Sequence, residues 1–289
     1  MSFTVTPRHP LFAAEVSGLD LGEPISPEDF EALKQALYKY AVLVFPDQEL
    51  TPQQHIAFSQ LFGELYFDQK RAAAGAEFGE LMVLGNLNPE GDTFTPPTPS
   101  ELLTEWHSDH SHRPTAALVS LLYGRAVPDE GADTLFALMT AAYEAAPPEL
   151  IAKIKDRVGL HSAAALISWR HEVDPGAPAL TQERAAGIPV IERPLIKTHP
   201  KTGKEALYFG QRVMGAVKDL PPEESKALIQ ALVDHATQAQ FVYAHKWRKH
   251  DLVMWDNRAV IHTGTHYDRS KYGRLMQRTT VLDNAAGRV

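Results

Sequence analysis

Cysteine is absent from all 289 residues. That excludes disulfides, thiolate zinc centres, iron–sulfur clusters and a cysteine nucleophile, so any metal must be held by nitrogen and oxygen. Long apolar runs are missing as well. No stretch approaches the roughly 20 apolar residues that a membrane helix needs. Residues 1–5 lack the basic region and apolar core of a secretory leader, so the expected compartment is the cytoplasm, with no membrane partner. No GxGxxG or GxxxxGK[ST] loop follows a strand, and no GxSxG elbow occurs, which removes the common nucleotide folds and serine hydrolases. Positive charge is in short supply: 28 Lys and Arg face 36 Asp and Glu, for a formal net charge of -8. A general nucleic-acid partner is therefore not expected, although this balance leaves room for a local basic pocket.

What is present suits one globular domain over residues 1–289. A hydrophobic share of 44 % and a charged share of 22 % allow a sizeable core. Ser26-Pro27-Glu28-Asp29 punctuates the start of a helix, and Phe30, Leu33, Leu37 and Tyr40 give it an apolar stripe. Thr51-Pro52-Gln53-Gln54 reads as a capping box opening a second helix. A third amphipathic helix is expected over 221–237. Strands are expected at 41–45, 81–84, 116–123, 134–139, 206–209, 241–247, 252–255, 260–262 and 275–282. Residues 64–80 and 163–190 read as irregular. Residues 86–100, rich in Pro, Gly and Thr, read as either a lid or a surface excursion. Many short strands with a few helices predict an α+β fold, mainly β, built as a jelly roll rather than a parallel sheet.

The chemistry centres on Trp106-His107-Ser108-Asp109. In an extended segment residues i and i+2 face the same way, so His107 and Asp109 can converge. Imidazole nitrogen and carboxylate oxygen are ligands for Fe(II), Mn(II) or Zn(II). The C-terminal stretch DLVMWDNRAVIHTGTHYDRSKYGRLMQRTTVLDN adds His262 and two arginines, Arg274 and Arg278. On a strand those arginines share a face, where two guanidiniums repel unless each meets an anion. A jelly roll can bring His107, Asp109 and His262 together as a facial triad with open positions. The two arginines can then fix two different carboxylates.

These pieces resemble the Fe(II)/2-oxoglutarate-dependent dioxygenases of the taurine dioxygenase and 2,4-dichlorophenoxyacetate dioxygenase family. The matching motifs are WHSD at 106–109, GADT at 131–134, THPKTGKEALY at 198–208, HDLVMWDNRAVIH at 250–262 and RLMQR at 274–278, together with HPLFAAEVSGLDL and AVLVFPDQELTPQQHIAFSQLFG near the N-terminus. The C-terminal third looks closest to the aryloxyacetate branch. The resemblance implies a double-stranded β-helix with helices around it. It implies Fe(II) on His107, Asp109 and His262, the distal carboxylate of the co-substrate 2-oxoglutarate on Thr134 and Arg274, and the anionic head of a small-molecule substrate on Arg278. The reaction would consume O2 and release succinate and CO2. The chain would then be an oxidoreductase, and family members commonly form homo-oligomers.

Two departures from the family pattern bear on the substrate. Leu103 stands where an Asn is usual, and Tyr66 to Arg71 contains no histidine where the taurine enzyme has one. Both count against taurine and leave the metal and 2-oxoglutarate assignments untouched; the likeness to the aryloxyacetate branch makes an aryloxyalkanoate the expected substrate, with an alkyl sulfonate or another carboxylate as the alternative. Phe67, Leu103, Ile167 and Trp169 are candidate pocket walls. Asp256 reads either as a support for a ligating imidazole or as a turn residue, and His110, His112 and His266 as structural. Two readings from other classes stay open: a zinc hydrolase on the same three ligands, which leaves Arg274 and Arg278 unexplained, and a non-catalytic jelly-roll binding module.

Overall fold

The computed structural model describes residues 2–88, 90–94 and 104–284. A hairpin of β1 (Thr4–Pro7) and β2 (Ala14–Ser17) leads into helix α1 (Pro27–Tyr40). Helix α1 begins as its sequence dictates, with the Ser26 side chain accepting from the Asp29 N–H. It ends at Ala41, whose left-handed φ of 57° turns the chain into β3 (Val42–Phe45). Helix α2 (Pro52–Gln60) carries the expected reciprocal capping box between Thr51 and Gln54. There follow α3 (Gln69–Ala73), β4 (Met82–Gly85), β5 (Ala117–Ala126), β6 (Thr134–Leu138), α4 (Met139–Glu144), α5 (Pro148–Ile154) and β7 (Val158–His161). Next come α6 (Ala163–Val173), α7 (Gln182–Ala186), β8 (Ile191–Pro194), β9 (Ile196–Thr198), β10 (Glu205–Leu207), β11 (Met214–Val217) and α8 (Pro222–Ala236). The chain closes with β12 (Val242–His245), β13 (Leu252–Asp256), β14 (Val260–Gly264) and β15 (Leu275–Leu282).

A seven-stranded sheet runs in the order β1-β2-β3-β13-β5-β15-β4, and a three-stranded sheet in the order β12-β6-β14. The two face each other across an apolar layer. Val44, Leu122, Val253, Trp255 and Met276 come from the large sheet and Phe136, Leu138 and Val260 from the small one. Because side chains alternate along a strand, the other face of the large sheet, with Met254 and Val281, packs on Leu33 and Leu37 of α1 and Phe58 of α2. The outer face of the small sheet, with Ala137 and Ile261, packs on Leu228 and Leu232 of α8. The layering is helix, sheet, sheet, helix, an α+β architecture. No helix among the described residues is long and apolar enough to cross a membrane.

The stretch 163–190 departs from the irregular expectation, since it holds α6 and α7. Helix α6 buries none of its residues, so no apolar stripe announces it. The Ser162 cap on the Ala164 N–H and the run Ala163-Ala164-Ala165-Leu166, all strong helix formers, make it instead. Of the expected lid, Leu87 bridges Phe94. Its remainder from 95 to 100, and Leu103, lie outside the described residues.

Candidate active site

His107 and His262 meet through their backbones. The His107 N–H donates to the His262 carbonyl at 3.0 Å and the His262 N–H returns the bond at 2.9 Å. Residues paired this way in an antiparallel bridge project side by side, and the two rings lie 4.3 Å apart. Strand β14 supplies His262 opposite Phe136 of β6, and Trp255 of β13 packs 4.7 Å from its ring. Asp109, two residues on, is held by its N–H donating to Asn257 Oδ1 at 3.1 Å, while Ser108 Oγ donates to the Asn257 carbonyl. One ligand atom from each of His107, Asp109 and His262 lies within 4.8 Å of the other two. His107 Nε2 is 3.8 Å from Asp109 Oδ1, and His262 Nε2 is 4.0 Å from Asp109 Oδ2.

The electrostatics of this cluster suit a cation. His107 Nδ1 lies 3.0 Å from the Glu105 carbonyl. A carbonyl only accepts, so Nδ1 carries the hydrogen and the Nε2 lone pair faces the carboxylate. Burial lowers His262 to about 3, with His107 adding to the effect, so its imidazole is neutral at pH 7. Burial pushes the Asp109 carboxyl up, but Arg278 and the neighbouring imidazoles outweigh it and hold the group well below the usual carboxylate range. Imidazole lone pairs and a carboxylate thus converge on one point, which is unfavourable unless a positive ion lies between them. The donor set, two imidazole nitrogens and one carboxylate oxygen without sulfur, fits Fe(II), Mn(II) or Zn(II).

Two residues that the sequence reading missed support Asp109. Ser120 Oγ donates to Asp109 Oδ2 at 2.7 Å and accepts from Asn257 Nδ2 at 3.0 Å. Asn257 Oδ1 also accepts from Trp255 Nε1. The Asn257 amide therefore makes bonds at both ends, and its orientation fixes both the Asp109 backbone and, through Ser120, the Asp109 carboxylate. The turn between β13 and β14 was legible, but a hub role for its Asn leaves no periodic signal.

Of the two arginines, Arg278 falls on β15 where the period-2 pattern places it. Met276 and Arg278 share the face of β15 that looks into the layer between the sheets, and Arg274 immediately precedes the strand. Arg278 reaches Asp109, with NH1 donating to Oδ1 at 2.6 Å. NH2 lies 3.3 Å from the Met82 sulfur and Nε has no partner. It therefore touches the candidate metal ligand while keeping donors for a second anion. Arg274 has no carboxylate partner among the described residues. Burial lowers its guanidinium to about 10, and the charges acting on it come from Tyr267 and Arg269. Its backbone is clamped by Asn86, which accepts the Arg274 N–H at 2.7 Å and donates its own N–H to the Arg274 carbonyl at 3.0 Å. Thr134, at the start of β6, is buried, and its Oγ1 accepts from Trp247 Nε1 at 3.0 Å. His107, Asp109 and His262 thus cluster with Arg278 bonded to Asp109, whereas Thr134 begins β6 and Arg274 immediately precedes β15.

Asp256 touches neither candidate imidazole ligand. It lies 3.0 Å from His199 Nε2 and takes a bidentate contact from Arg258, a buried structural pair. His110 is buried against Tyr66, ring to ring at 4.6 Å. His266 is exposed, and its carbonyl accepts from Ala132. Trp106 packs on the α8 side of the core. Glu105, beside His107 and unflagged by the sequence, has its carboxyl pushed up by burial, and its Oε2 has no partner.

A family model described as "Taurine catabolism dioxygenase TauD, TfdA family" matches residues 4–280. The chain belongs to this family. Among family relatives, the alpha-ketoglutarate-dependent 2,4-dichlorophenoxyacetate dioxygenase of Cupriavidus pinatubonensis is 34% identical over 293 aligned residues, covering 99% of both proteins. The (S)-phenoxypropionate/alpha-ketoglutarate-dioxygenase of Sphingobium herbicidovorans is 31% identical over 99% of this chain and 96% of its own length. Among solved structures, AAD-2 in complex with Mn(II) and N-oxalylglycine superposes with a TM-score of 0.85 at 35% identity, covering 99% of each chain.

Proposed function

We propose that this chain is a metal- and 2-oxoglutarate-dependent dioxygenase that oxidises a small organic anion, with an aryloxyalkanoate as the substrate class. The observation that carries the reading is the convergence of His107, Asp109 and His262 to within 4.8 Å, with Arg278 of β15 bonded to Asp109 and Arg274 just before that strand. His107 Nε2, His262 Nε2 and one Asp109 oxygen would hold the metal. When bound, Fe(II) would supply O2 activation with 2-oxoglutarate as the reductant, giving succinate and CO2. Full-length similarity to relatives named for 2,4-dichlorophenoxyacetate and phenoxypropionate supports the substrate class. Two facing sheets, antiparallel throughout except for β2 beside β3, support a double-stranded β-helix core within a single domain.

The residues divide the work. Arg274, a half-buried cation with no carboxylate partner among the described residues, and Thr134 hold the distal carboxylate of 2-oxoglutarate. Arg278 anchors the substrate carboxylate and thereby sets which carbon faces the metal, a matter of positioning rather than of acid–base chemistry. Ser120 and Asn257 hold the Asp109 carboxylate in its ligating orientation. If the oxidised carbon bears the aryloxy oxygen, the product is a hemiacetal that collapses to a phenol and an oxo-acid. The test is succinate release with Fe(II) and ascorbate over aryloxyacetates, aryloxypropionates, alkyl sulfonates and alkyl sulfates. Phenol release from the first two classes is expected. Turnover with Zn(II) and no need for 2-oxoglutarate would instead indicate a hydrolase, and succinate release driven by sulfonates alone would overturn the substrate class.

A further inference from the structure

Trp247 follows β12 and is buried in the layer between the two sheets, in one cluster with Phe136 and Met276. Phe136 stacks 6.1 Å from the His262 ring, and Met276 shares the inner face of β15 with Arg278. An indole has a single polar atom, a donor. Here it donates to Thr134 Oγ1 at 3.0 Å.

A threonine hydroxyl carries one hydrogen and two lone pairs. With the Trp247 N–H on one lone pair, the Thr134 hydrogen is turned away from the indole. Among the described residues it finds no acceptor. A buried hydroxyl whose acceptor side is filled and whose donor side is open is set to donate to a ligand. Donation into the hydroxyl also polarises it and strengthens its outgoing bond.

We propose that Trp247 is a positioning residue for the co-substrate: its indole N–H fixes the Thr134 hydroxyl so that the hydrogen points at the distal carboxylate of 2-oxoglutarate. The inference rests on the assignment of Thr134 and Arg274 to that carboxylate. Trp247 acts through Thr134 and needs no contact with the metal or the substrate.

The experiment is calorimetric titration of 2-oxoglutarate into Mn(II)-loaded protein without substrate, so that binding is read apart from turnover. The variants are Trp247→Phe, Thr134→Val and their double. A fourth protein carries benzothienylalanine at position 247, which replaces the N–H by sulfur at nearly unchanged shape and so tests the bond even if Trp247→Phe fails to fold. Loss of one hydrogen bond predicts a Kd weakened roughly 3- to 10-fold by either change at 247. KM for 2-oxoglutarate should rise by a similar factor while kcat at saturating 2-oxoglutarate stays within about twofold. The double variant should bind no more than about twofold worse than Thr134→Val, because the two residues form one chain. A Kd within twofold of wild type for both changes at 247, alongside weakened binding by Thr134→Val, overturns the role of Trp247 alone. An unchanged Kd for Thr134→Val overturns the Thr134 assignment and this inference with it. A wild-type protein that binds no 2-oxoglutarate overturns the whole functional reading.

Discussion

At the residue scale the site depends on groups that never touch the ligand. Asn257 bonds the Asp109 backbone at one end of its amide and Ser120 at the other. Removing such a support costs about 10- to 100-fold in metal affinity in comparable centres. Asn257→Ala is therefore expected to weaken Mn(II) binding by about that factor while the protein still folds, as read by titration with circular dichroism as the control. Arg278→Lys should behave differently. Lysine keeps the charge but loses the fork that can meet Asp109 and a carboxylate together. The expected outcome is a KM for the anionic substrate raised at least about tenfold, and succinate release that outruns substrate oxidation. Equal losses in both products would show that Arg278 serves the metal centre alone.

At the element scale, β15 shows what the sequence makes legible. Its alternation turns Met276 and Arg278 to one side, and the structure places Met276 in the layer between the sheets and Val281 on the helix side. His-x-Asp and a distant histidine were legible as ligand types. Their union was legible only through the family resemblance and the expected jelly roll, because the bridge between His107 and His262 joins distant segments through backbone atoms that any residue possesses. Helix α6 was hidden for another reason: periodicity reports burial, and that helix buries nothing. Gly85, at the end of β4, was likewise unreadable. Its φ is +131°, and an added Cβ would sit 2.0 Å from the Arg274 carbonyl oxygen. Gly85→Ala is expected to cost on the order of 3 kcal/mol of stability through backbone strain and overpacking. It should also displace Arg274 and weaken 2-oxoglutarate binding, a pairing of effects that thermal melts and calorimetry measured together will reveal.

At the scale of the whole molecule, buried histidines govern the response to acid. Burial holds His55 at about 4 and His161 at about 3, against about 6.5 when unfolded. Below pH 6.5 the unfolded chain binds protons that the folded chain refuses, so stability falls as pH drops from about 6.5 toward 4. Each such histidine costs about 2 kcal/mol by pH 5 relative to pH 7. Melting temperature should therefore fall steeply over that range, and His55→Gln should flatten the decline by about one proton. A divalent metal acts in the opposite direction. Bound only by the folded state, it should add about 2.7 kcal/mol at a hundredfold excess over its Kd, and a chelator should remove that increment.

The bridge between His107 and His262 has a further consequence. Each ligand's amide hydrogen is locked on the other's carbonyl, so both are shielded from solvent only while the two segments stay zipped. A metal that clasps the two rings lowers the frequency of unzipping, and exchange with deuterium slows in proportion. The amides of His107 and His262 thus serve as an internal gauge of metal occupancy. They can be followed one residue at a time in protein that is not turning over.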